Sequence, residues 1–225
     1  MQPSELTKIG LIIFYAGYLT DHRDEARDFW RGFIKPLLFL VPPIAILYFV
    51  QNHLSVSIII GLIAVTMMVS SGCKMKHFIL SGIVGVSGVA GIFGMMQLSG
   101  SQNFRLDRIA VYFDPWSDAL GDGYQMIQSL YAIGSGGLFG VGLGDSKQKF
   151  LYIPEPHNDF IFAILAEELG FAGCVAVIVL FAIFIWRGVL IAMKAPDMFG
   201  SLMAIGITAL IAFQAILNIV VVTAS

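Results

Sequence analysis

The stretch PEPHNDFIFAILAEELG, Pro154 to Gly170, gathers four carboxylates and a histidine (Glu155, His157, Asp159, Glu167, Glu168) at the head of an otherwise apolar run that reaches Trp186. Carboxylates in such a place can take a proton as a general base or stabilise a cation. Asn158 or Asp159 also suits the N-cap of the apolar helix that follows, and an acid there complements the helix dipole. Both readings of Asp159 stand on the local pattern. Glu167 and Glu168 are expected about 12 to 14 Å further along the same helix, inside the hydrocarbon, where an ionisable group is costly and by default marks function. With Asp159 at zero, Ala163 falls at about 40°, Ala166 at about -20° and Gly170 at about 20°, so the aspartate's face is small below it. Glu167 lies about 80° round and Glu168 about 180°, so the two do not share a face. At least one must point into the bundle, with Lys8 or a buried backbone group as its candidate partner.

The elements that hold these residues are membrane spans. The 225 residues are 57% hydrophobic and 12% charged, with 18 Phe and a mean hydropathy of +0.83. Soluble domains average about 25% charged residues, so this composition is that of an integral membrane protein. Runs long enough to cross about 30 Å of hydrocarbon lie at 36–50, 54–72, 78–99, 159–186 and 200–223, and a shorter one at 6–20. The last has neither a basic n-region nor a small-residue cleavage site and reads as a true span, not a signal peptide. The fold class expected is therefore an all-α polytopic helical bundle with about six transmembrane helices, forming a single membrane domain over 1–225.

Lysine and arginine orient it. Arg23, Arg27, Arg31 and Lys35 lie in one loop, Lys74 and Lys76 in a second, Arg187 and Lys194 in a third, which places those loops in the cytoplasm. The other side receives QNHL and the long segment 101–158. That segment is too rich in aromatic and aliphatic residues for disorder, and its length marks it as functional. It is expected to fold back onto the membrane as a large extracytoplasmic loop.

Within it, GSGGLFGVGLG (134–144) fits neither GxGxxG nor GxxxxGK[ST] and reads as a flexible turn pressed against the interface, not a nucleotide site. Arg105, Arg108, Lys147 and Lys149 flank the acidic cluster and suit a polyanion such as a pyrophosphate, or are solvated surface charge. Glycines 82, 85, 88, 91 and 94 drift around their helix and suit close packing against several neighbours. Cys73 falls in a cytoplasmic loop and Cys174 within a span, so no disulfide joins them.

QPSELTK at the start, DPWSDALGDGYQMIQSLYAIGSGGLFGVGLGDSKQKFLYIPEPHNDFIFAILAEELG in the middle and NIVVVT at the end resemble the SEDS family of shape, elongation, division and sporulation proteins, its FtsW and SpoVE branch more than its RodA branch. The resemblance implies a peptidoglycan glycosyltransferase. It would polymerise lipid II, an undecaprenyl pyrophosphate-linked disaccharide pentapeptide, at the outer face of the bacterial cytoplasmic membrane, beside a class B penicillin-binding protein transpeptidase. No nucleic-acid partner is implied. The family's essential aspartate, in PExHxDFIF, falls on Asp159, and Glu155 and His157 match the same motif. Asp159 and Glu155 are then the catalytic candidates. Arg105, Arg108, Lys147, Lys149, His157, Gln125 and Gln128 are the substrate-binding ones, and Glu167, Glu168 and Lys8 are structural or relay residues. No cofactor is implied with certainty; a divalent cation is the alternative stabiliser of the pyrophosphate.

Two departures accompany the resemblance. Asn52 and His53 stand where the family's short outer turn usually has Pro and Asp. Family members also have about ten spans, so the chain is expected to be a fragment beginning at the fourth and stopping after the ninth. Two other functions compete: a lipid II flippase using the deep glutamates for proton coupling, and a non-catalytic scaffold that recruits the transpeptidase.

Overall fold

A computed structural model of the chain describes residues 3–51, 54–82, 115–118, 123–146 and 161–223. Among the described residues the long helices are α1 (Pro3–Asp21), α2 (Lys35–Gln51), α3 (Leu54–Ser70), α4 (Tyr124–Gly136), α5 (Ile161–Lys194) and α6 (Met198–Thr223). Residues 75–82 are also helical. Five of the six expected spans thus coincide with helices, and most of the sixth, 78–99 with its glycines beyond Gly82, lies outside the described residues. Among the described residues, Phe29–Leu47, Ile161–Lys194 and Met198–Thr223 are long and apolar enough to cross a membrane, and Val56–Ser70 is a shorter apolar helix. Helices suit that solvent because each satisfies its own backbone where no water is at hand.

The residues form two compact units, 1–100 with 184–213 and 101–183 with 214–225. In the first, α1, α2 and α3 bury Ile12, Tyr15, Ala16, Leu40, Ile60, Ile63 and Met67. Tyr15 Oη donates to the carbonyl of Pro36 (2.5 Å), tying α1 to the start of α2. Pro42 and Pro43 lie within α2, a placement that membrane helices tolerate when neighbours or local adjustment satisfy the freed carbonyls. Close helix approach needs small residues where side chains cannot interlock. A Cβ added to Gly206 of α6 would meet Ile12 Cγ2 at 2.6 Å and Met67 Sδ at 3.0 Å, and both of those side chains are already buried. Gly206→Leu is therefore expected to cost about 1–3 kcal/mol through overpacking, read as a lowered melting temperature in detergent. Gly61→Leu, where a Cβ meets nothing within 4 Å, should melt close to the wild type.

The connection between α1 and α2 is ordered by short-range bonds. Arg23–Glu25 form a 3-10 turn and Phe29–Ile34 a π-helical turn capped by Asp28, whose carboxylate accepts from the Arg31 amide (3.0 Å). Gly32 is pressed so closely against the carbonyls of Glu25 and Ala26 that a side chain has no room there. From the turn after α3, the Cys73 thiol donates to the Gly32 carbonyl (3.0 Å). Both cysteines are free. Burial raises the Cys73 thiol pKa, opposed by its hydrogen bond with Ser71. A raised pKa lowers the thiolate fraction at a given pH, and the thiolate is the nucleophile. Maleimide should accordingly label Cys73 more slowly at pH 7 than an exposed thiol, with the difference narrowing as the pH is raised. Cys73→Ser, which keeps a donor for Gly32, should leave expression unchanged.

The second unit holds the acidic stretch. Ala132, Phe162, Ala163 and Val222 form its buried cluster, with Ile133, Cys174 and Ile219 packed around them. Ser129 of α4 donates to the carbonyls of Met126 (2.7 Å) and Val222 (3.0 Å), joining α4 to the end of α6. A 3-10 turn, Pro115–Asp118, packs Trp116 edge-on against Tyr131 at 6.0 Å, and the Gly123 amide donates to the carbonyl of Asp118.

Candidate functional site

Thirty-four residues of helix, the length of α5, would reach about 51 Å, well beyond a hydrocarbon core of about 30 Å. The helix is not continuous. Gly170 has φ 67 and ψ -167, which separates a short helix, 161–169, from the span proper, 171–194. This corrects the expectation of one continuous span over 159–186, while the helix from Ile161 through the glutamates is unbroken. Those two acids sit in the last turn of the short helix, just before the break.

Breaking a helix strands carbonyls and amides, and in an apolar setting each stranded group is costly. In an unbroken helix the carbonyls of Glu167 and Glu168 would accept from the amides of Phe171 and Ala172. Instead they accept from Val141 (3.0 Å) and Gly142 (3.1 Å), while Phe171 and Ala172 donate to the carbonyls of Gly137 (2.9 Å) and Leu138 (3.1 Å). All four groups are re-paired with the glycine run that follows α4. That run is therefore an ordered partner of the break, not the flexible turn expected from its composition.

Two glycines permit the approach. Gly140 has φ 78, and a Cβ on it would collide with the Glu168 carbonyl; a Cβ on Gly170 would collide with the Gly140 amide. Gly136, at the end of α4, is similarly pressed against the carbonyl of Ala166.

The side chains of the short helix then sort by face. Ala163 and Ala166 are buried, and so is Gly170. Glu167 is 3% exposed and its carboxylate Oε2 accepts from the hydroxyl of Ser146 (2.5 Å), itself fully buried. Glu168 is half-buried, in keeping with a different face. Ser146 was not singled out from the sequence. Its only signal there was a small polar residue at the end of the glycine run. Lys8 is buried on α1, and its ammonium pairs with Glu5 (2.7 Å), one turn earlier on the same helix. Gln125 and Gln128 lie half-buried on α4. Arg105, Arg108, Lys147, Lys149, Glu155, His157 and Asp159 fall outside the described residues, as do Asn52 and His53. Asp159 is two residues before Ile161, the first residue of the short helix.

This chain has counterparts among known proteins. The model of the FtsW, RodA and SpoVE family, described as cell cycle proteins, matches residues 1–224. The chain belongs to this family. It is 44% identical over 223 residues to the stage V sporulation protein E of Bacillus subtilis, covering 99% of this chain and 59% of that protein. It is 39% identical to the probable peptidoglycan glycosyltransferase FtsW of Aliivibrio salmonicida, covering 97% of this chain and 54% of that one. The chain thus spans between half and two thirds of the length of these relatives.

Solved structures agree on the fold. A chain of a peptidoglycan synthase complex, reported for its coordination of polymerization and crosslinking, superposes with a TM-score of 0.77 over 99% of this chain and 60% of its own length at 24% identity. A variant of the rod shape determining protein RodA of Thermus thermophilus gives 0.59 at 23% identity, over 99% of this chain and 54% of the other. Membership in the family and the apolar helices together make this a membrane protein.

Proposed function

We propose that this protein supplies the polymerising site of a peptidoglycan glycosyltransferase, acting on lipid II at the outer face of the cytoplasmic membrane. The observation that carries the reading is the family match over residues 1–224, which includes the whole of PEPHNDFIFAILAEELG. The names of the FtsW relatives support the activity.

The chemistry suits the residues. The 4-hydroxyl of one disaccharide attacks the anomeric carbon of another. The new carbon–oxygen bond forms as the bond to undecaprenyl pyrophosphate breaks, and the α linkage inverts to β. One displacement suffices, so one base and charge stabilisation of the leaving group are needed. Asp159 takes the hydroxyl proton, and Arg105, Arg108, Lys147 and Lys149 offset the charge on the departing pyrophosphate. A divalent cation held by carboxylates such as Glu155 is the alternative to those side chains. A sugar in water joined to a tail in lipid explains why so much charge stands at the head of an apolar run. The solved peptidoglycan synthase complex, which coordinates polymerization and crosslinking, supports a crosslinking partner, for which a class B penicillin-binding protein is proposed, and the lysines and arginines gathered in the other loops support an outer position for 101–158.

The test is polymerisation of labelled lipid II by the natively encoded protein with its transpeptidase, comparing wild type with Asp159→Asn and Glu168→Gln. Glycan strands lost in Asp159→Asn alone support the enzyme. Strands unaffected by Asp159→Asn, with lipid II translocation lost in Glu168→Gln, would replace it with transport. Neither change having any effect would leave a scaffold.

A further inference from the structure

The glycine run bonds its backbone to the break and leaves its large side chains uncovered. Leu138 is 68% exposed, Phe139 83%, Val141 45% and Leu143 78%. Apolar side chains leave water with a gain proportional to the area removed, so four of them bared on one short loop mark a surface made for another apolar phase, a protein or a membrane.

The position of the run selects the membrane. The carbonyls of Gly137 and Leu138 accept from the amides of Phe171 and Ala172, the first two residues of the span proper, so the run lies level with the end of that span. Phe171, Val175 and Ile178, which share one face of α5 from that end, are exposed apolar residues too, and the patch on the run continues theirs. Non-helical backbone is tolerated at membrane depth only where its polar groups find partners within the protein. The amides of Gly140, Val141 and Gly142 and the carbonyls of Gly137, Leu138 and Gly142 all have such partners. The exchange that repairs the break therefore also fits the run to a place where water is scarce. No charged residue occurs from Tyr124 through Gly144. The exposed rings of Tyr131 on α4 and Trp116, packed edge-on, are of the type that gathers at the headgroup level.

We propose that Leu138, Phe139, Val141 and Leu143 form a membrane anchor, seated among the acyl chains just below the headgroups of the leaflet that α5 enters at Phe171. Asp145, exposed and charged, is where the chain turns back to water. The anchor opposes withdrawal of the run from the break, because withdrawal would carry four apolar side chains into water and strand the backbone groups paired there. It is a property of the fold and holds whichever reaction the protein performs.

The experiment photolabels the natively encoded protein in nanodiscs. One reagent is a phosphatidylcholine with a diazirine about 5–10 Å below its headgroup, the other a water-soluble diazirine, and modified peptides are read by mass spectrometry. The peptide bearing 137–144 should take label from the lipid, as should that bearing 171–180, and little from the aqueous reagent. Phe139→Ser/Leu143→Ser, a change at two exposed positions, should lower lipid labelling of 137–144 several-fold and raise its aqueous labelling, with labelling of 171–180 unchanged. Aqueous labelling of the wild-type run in place of lipid labelling would show a solvated loop and overturn the anchor. Protection from both reagents would overturn it in favour of a protein cover, whether a second copy, another part of the chain or a partner. Lipid labelling unaltered in the double variant would also overturn it, since the run would then be held at that depth without these side chains.

Discussion

Asp159→Asn is expected to abolish glycan polymerisation while leaving the protein in the membrane at its normal level. The change is nearly isosteric and removes the negative charge together with the capacity to accept a proton. General-base catalysis is worth about 10²- to 10⁴-fold, so the residual rate should fall to the background of the assay. Asparagine is as good an N-cap as aspartate, so the helix that begins at Ile161 loses little at its first turn. That equivalence lets one substitution separate the two readings of Asp159. A structural cap predicts full activity for asparagine and a loss for alanine, whereas a catalytic base predicts failure of both. Thermal unfolding of the asparagine variant should match the wild type on either reading, and full activity in that variant would point to the cap instead.

Gly140→Ala carries the largest expected effect on stability. Gly140 sits at φ 78 with the Glu168 carbonyl directly over its α-carbon. The left-handed conformation alone costs a non-glycine residue about 1–2 kcal/mol. The methyl group also forces the glycine run away from the break, stretching the Val141 and Gly142 bonds to Glu167 and Glu168. Each buried polar group left unpaired costs about 1–3 kcal/mol, so with two bonds stretched the total loss should be about 3–8 kcal/mol, a large share of a typical folding free energy. Gly137→Ala is the internal control. Gly137 also has positive φ, at 55, yet a Cβ there meets nothing within 4 Å. With ψ at -143 it should show a dihedral cost without a collision, and a larger drop for Gly140→Ala would report the close approach. Equal destabilisation by the two substitutions would show that the backbone exchange contributes nothing beyond dihedral preference.

Several layers of this protein were open to reading along the chain. Membrane residence follows from composition because transfer into hydrocarbon is additive over neighbouring residues, and the spans at α1, α2, α3, α5 and α6 are such runs. The small face of Ala163 and Ala166, and the divergence of Glu167 from Glu168, follow from helical periodicity, which needs only local geometry. The family was legible in a long block of specific residues around PEPHNDFIF.

The break at Gly170 was not legible. A single glycine inside a helical apolar run is ordinarily tolerated, and nothing local distinguishes this one. Its φ of 67 is stable only because the carbonyls and amides released there meet those of Gly137, Leu138, Val141 and Gly142, a segment distant in sequence. The same holds for the partner of Glu167. A buried carboxylate announces that it needs a donor, but whether that donor is Lys8, a backbone amide or Ser146 depends on which segments the fold brings within hydrogen-bonding distance. The amino-acid sequence by itself determined the solvent, the helices and the chemistry available near Asp159. Only the tertiary structure decided where the helix breaks and which side chain Glu167 holds, because each depends on polar groups from two distant segments meeting in register.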